Sequence, residues 1–102
     1  MKLGFAAGSI TIRIHPDELA KLAVGGSIGL HVALPRGHQF RVKLNQTQTE
    51  QWHFDSDPTG LWLTVPRTQL DVLGRGQSDM HCIQQTFMTH QDEVLIRLEL
   101  DV

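Results

Sequence analysis

One pattern occurs twice in this chain. Ile10-Thr11-Ile12-Arg13-Ile14-His15-Pro16 alternates apolar and polar residues, meets a proline, and leads into Leu19 and Leu22 before Gly25. Fifty-one positions later, Leu61-Trp62-Leu63-Thr64-Val65-Pro66 does the same and leads into Leu70, Leu73 and Gly76. The register places Leu19 on Leu70, Leu22 on Leu73, Gly25 on Gly76 and Ser27 on Ser78. Period-two alternation marks a half-buried strand, and apolar residues spaced by three and four mark a short amphipathic helix. With 102 residues in all, neither half is large enough to close a core of its own, so the two must share one.

The remaining segments fill in around this pair. Lys2 to Ala6 and Ile10 to Ile14, joined at Gly8-Ser9, read as a hairpin. Pro16 suits the first helical position, with Asp17 and Glu18 at the positive end of the helix dipole and Gly25-Gly26 as the stop. Ile28, Leu30, Val32 and Leu34 alternate as a third strand, Pro35-Arg36-Gly37-His38 turns, and Phe40, Val42 and Leu44 form a fourth. Asn45 to Gln51 is a polar connector. The second cycle begins at Trp52 and Phe54 and turns at Ser56-Asp57-Pro58-Thr59-Gly60; Pro66 opens its helix, which runs to about Gly74. His81–Met88 and Glu93–Leu100 close it as a hairpin around Thr89 to Asp92. Met80, Cys82 and Met88 alternate against His81, Ile83 and Phe87, which leaves open which side of that strand is inside. The expected fold is mainly β with two short helices (α+β). It is a single domain over 1–102, in repeat halves 1–50 and 51–102, each β-β-α-β-β, curled into a small pseudo-twofold β-barrel with the helices at its ends.

The second copy, Leu61 to Arg67 with Leu70, Leu73 and Gly74, resembles the strand–Pro–basic–helix signature of AbrB/MazE-type swapped-hairpin domains. Ser9 to Ile14 is similar to the same signature, with His15 inserted before the proline. The resemblance implies an AbrB-like, cradle-loop-like barrel in which one chain carries both units. It also implies a DNA-binding regulator or antitoxin whose basic residues surround the first hairpin. The N-terminus, through Met1, Lys2, Leu3, Phe5, Ser9, Ile10, Ile12, Arg13, Ile14, Glu18 and Leu19, resembles a bacterial family of unassigned role that begins M-K-I-R-I-x-G-N-S-I-R-x-R-L-T-x-S-E-V.

Charge weighs against the DNA reading. Net charge is −2 and the pI is about 6.3, and Lys2 and Arg13 are the only cations near the first hairpin. Phosphate contacts need more positive charge than that. One cysteine, Cys82, permits no internal disulfide and fits a reducing compartment; with no long apolar run, neither a membrane span nor a signal peptide is expected and the cytoplasm is the default.

Six histidines raise the question of a metal. His38-Gln39 and His90-Gln91 fall in corresponding hairpin turns, and His31 and His81 on corresponding strands one position out of register, but no spacing gathers three ligands. Cys82 next to His81 is separated from it by strand alternation and reads as a buried structural cysteine. Asp55 to Gly60 reads as a turn rather than a cation loop. No catalytic residue, cofactor or metal site is assigned. Trp62 is the residue most indicative of function: with Leu61, Leu63 and Val65 facing in, it projects outward, where tryptophan is enriched at contact surfaces. Arg41, Lys43 and Arg97, on the polar faces of the two fourth strands, read either as a small basic stripe or, the plainer reading, as the solvated side of half-buried strands. The expected function is a non-catalytic interaction or regulatory module with a protein partner or self-association. DNA binding is the alternative, and a small-ligand or metal-binding protein the third.

Overall fold

The computed structural model describes residues 1–75 and 81–101. The matches of Gly25 with Gly76 and of Ser27 with Ser78, and Met80, lie outside them. The strands are β1 (Lys2–Ala6), β2 (Ser9–Ile14), β3 (Ile28–Ala33), β4 (Gln39–Thr47), β5 (His53–Asp57), β6 (Gly60–Pro66), β7 (Cys82–Met88) and β8 (Glu93–Leu100). Helix α1 (Pro16–Ala23) follows β2, and α2 (Arg67–Gly74) follows β6.

The chain is mainly β, as its alternation requires, but the strands form two four-stranded sheets, β1-β2-β8-β7 and β3-β4-β6-β5. Among the described residues no ladder joins the sheets, so the expected closed barrel is replaced by two sheets around one core. Each sheet consists of two antiparallel hairpins joined by a central parallel pair, β2 with β8 and β4 with β6. The central pairs each join a strand of the first half to a strand of the second, so each sheet takes one hairpin from each half of the chain. Leu3 faces Ile12, and Phe54 faces Leu63 fifty-one positions on. The Leu95 N–H donates to the Gly8 carbonyl and the Arg41 N–H to the Thr59 carbonyl, both at 2.9 Å.

The inward rows are the apolar ones. Ile12, Ile14, Val42, Leu44, Leu61, Leu63, Val65, Ile83, Ile96 and Leu98 are buried, and Leu19, Leu22, Leu70 and Leu73 close the core from the helices. Phe54 of one sheet meets Phe87 of the other with ring centroids 5.4 Å apart. Ile83 and Phe87 are therefore the inner residues of β7, and Cys82 is half-buried on the outer side rather than in the core.

Both helices have the leucines the pattern requires, but their prolines differ. Pro16 is the first residue of α1, whereas Pro66 ends β6, paired with Thr47, and caps α2 from outside. The His15 N–H donates to Glu18 Oε1 at 3.0 Å, one half of a capping box. At the other end Gly25 has a φ of 92°; its N–H reaches the Leu22 carbonyl, and that of Gly26 reaches Lys21. This six-to-one closure favours glycine. Strand β4 extends past Leu44 into the expected connector, because Asn45, Gln46 and Thr47 pair with Thr64, Val65 and Pro66. The Gln46 side chain then donates to the carbonyls of Leu22 (2.8 Å) and Ala23 (3.0 Å), capping α1 from the sheet.

Candidate binding face on the second sheet

Strand alternation sends Arg41 and Lys43 of β4 and Trp62 of β6 to the outer face of the β3-β4-β6-β5 sheet, since Val42, Leu44, Leu61 and Leu63 occupy the core. The ladders set them in rows. Gly29, Lys43, Trp62 and Asp55 lie side by side across the four strands. His31, Arg41, Gly60 and Asp57 form the adjacent row. Neighbouring strands are about 4.8 Å apart, so Trp62 lies against Lys43 on one side and Asp55 on the other. It remains 36% exposed, the largest apolar side chain on the face.

Two glycines shape the surface. Gly29 leaves the position beside Lys43 without a side chain, and a groove of about 470 Å³ forms there, walled by Arg41, Lys43 and Trp62 and including His31. A second hollow, of about 570 Å³, lies on the other side of Arg41 and Trp62, against His38 and Thr59. Gly60 is required by backbone approach, because a Cβ there would collide with the Arg41 carbonyl oxygen.

The charges on this face are segregated, with Arg41 and Lys43 on β4 and Asp55 and Asp57 on β5. Arg41 donates to Gln39 Oε1 at 3.1 Å, and among the described residues neither Arg41 nor Lys43 forms an ion pair. The acidic neighbours are occupied locally. Asp57 Oδ1 accepts both the backbone N–H and the hydroxyl of Thr59 at 2.6 Å, and these hydrogen bonds hold its carboxyl below the usual range. Asp55 accepts the Ser56 N–H at 2.8 Å. The Asp55–Gly60 segment is thus a hydrogen-bonded turn.

Arg97 does not join Arg41 and Lys43, because β8 belongs to the other sheet. It lies across from Thr11, as Lys43 lies across from Trp62, and pairs with Glu99 at 3.3 Å. The Cys82 sulfur beside it raises the Arg97 guanidinium pKa further. Glu99 also holds Arg13 at 3.1 Å, so on the outer face of the first sheet one carboxylate pairs both arginines, and Lys2 lies beside Arg13 in the same row.

The histidines are all exposed, and among the described residues no three His, Cys, Asp or Glu side chains converge as a metal site would need. His81 precedes β7 with φ of 51° instead of lying on it, so it does not correspond to His31 on β3. No described helix is long and apolar enough to cross a membrane. Gly29 and His31 are the participants that sequence reasoning missed. The available signal was a glycine inside an otherwise alternating strand, which marks a close approach or an open position. No protein-family model, curated protein or solved structure matches this chain.

Proposed function

We propose that this protein is a non-catalytic binding module that engages a partner through the outer face of the β3-β4-β6-β5 sheet. The observation that carries the reading is the contrast between the two outer faces. One presents an exposed tryptophan beside two cations without ion pairs; the other presents threonine beside an arginine paired with Glu99. Tryptophan and arginine dominate the energetics of contact surfaces when a partner desolvates them. The repeated registers support a fused pair of β-β-α-β-β units of the swapped-hairpin kind, diverged so that one face became the binding face. The single cysteine fits a cytoplasmic setting. The DNA-binding alternative gains no support at the first hairpin, where Arg13 is already paired.

Photo-crosslinking in cells tests this. A benzophenone amino acid at position 62 should give a discrete adduct, and the same group at position 11 on the opposite sheet should give none. Adducts at position 11 alone, or at neither, would sink the reading.

A further inference from the structure

The groove beside Trp62 restricts what that partner can be. We infer that it takes a short acidic peptide segment of a protein partner, with carboxylates on Arg41 and Lys43 and an apolar side chain against the Trp62 ring. This rests on the binding-face reading above and specifies its ligand.

Charge complementarity sets the sign. Arg41, Lys43 and His31 face the groove, Arg41 and Lys43 have no anionic partner among the described residues, and a bidentate carboxylate matches the guanidinium fork. Shape favours a peptide over a small molecule. The volume of about 470 Å³ is ample, but Gly29, His31, Arg41 and Lys43 are all exposed. So open a groove cannot enclose most of a small ligand's surface, as tight small-molecule sites do. Extent disfavours a nucleic acid. Beyond Trp62 the same rows end in Asp55 and Asp57, which would repel a continuing phosphate backbone, whereas a segment with two carboxylates ends before reaching them. Gly29 provides the floor: Lys43 lies next to a position with no side chain, so a peptide can lie flat over β3 and still reach the indole.

Selection from a displayed random-peptide library tests this, using the full chain as bait and competitors of free acidic peptide and duplex DNA. Enriched peptides should combine two or more Asp or Glu with a neighbouring aromatic or aliphatic residue. Their affinity should fall roughly tenfold or more in the double variant R41E/K43E and by a similar factor in W62A. Both variants should keep the wild-type amide spectrum away from the groove, since these side chains are outside the core. Enrichment of neutral or basic peptides that still depend on Trp62 would overturn the acidic assignment and leave the binding face standing. Displacement by duplex DNA at the same residues would overturn the peptide class. Failure to enrich any peptide would overturn the inference, while crosslinking at position 62 would still decide the face itself.

Discussion

Gly60 shows how closely a single residue governs the β4–β6 pairing beneath the proposed binding face. Any Cβ there runs into the Arg41 carbonyl oxygen, which belongs to the backbone and cannot rotate away. Gly60→Ala should therefore destabilise the fold by about 2–3 kcal/mol, read as a lower urea midpoint. Gly4→Ala, in open space on the other sheet, should stay within about 0.5 kcal/mol. Glu18 gives the matching electrostatic case. Burial pushes its carboxyl up, but the His15 N–H and the Met1 ammonium, each 3.0 Å from Oε1, more than offset it and leave the pKa below its ordinary 4.5. A depressed folded-state pKa stabilises the fold fully above about 4.5 and less as pH falls through the lower folded value. Stability should decline across that acid range, and Glu18→Gln should flatten the decline while costing about 0.5–1 kcal/mol at neutral pH. The acidic first turn of α1 was legible in the sequence. The clash at Gly60 was not, because it depends on a strand nearly twenty residues earlier.

At the scale of elements, alternation and the paired leucines located both helices and the eight strands of the described residues, since each needs only a local period. The end of β4 was misjudged for a physical reason. Asn45-Gln46-Thr47 is polar and reads as loop, but a parallel partner in β6 takes its backbone hydrogen bonds. The inward Gln46 meets the open carbonyls of α1 instead of the apolar core. Gln46→Ala removes two hydrogen bonds to half-buried carbonyls and should cost about 1–2 kcal/mol. Amide exchange should show the loss first in the last turn of α1. The two prolines carry the same lesson: both stand between strand and helix, yet only Pro16 is inside its helix, because the inserted His15 takes the cap position that Pro66 fills in the second half.

Across the whole molecule, the sequence signalled a shared core but not how the strands would be distributed. Two sheets, each with one hairpin from either half, follow from the parallel pairing of β2 with β8 and β4 with β6; such pairing between non-consecutive strands leaves no local mark. The same exchange assembles the proposed binding face, since Arg41 and Lys43 come from the first half and Trp62 from the second. Arg97 lies on the first sheet because β8 pairs with β2, while Lys43, which holds the equivalent ladder position opposite Trp62, lies on the second. If the halves are interlocked in this way, neither can open alone. Native-state hydrogen exchange on the full chain and on Leu22→Ala is the most direct measurement. Leu22 is fully buried, and its truncation should cost about 2–5 kcal/mol. Amides of Ile12 and Ile96 in one sheet and of Leu44 and Leu63 in the other should lose protection by the same amount. If Ile12 and Leu44 of the first half lose protection while Leu63 and Ile96 of the second keep their wild-type values, the halves open independently and the interlocked fold is contradicted.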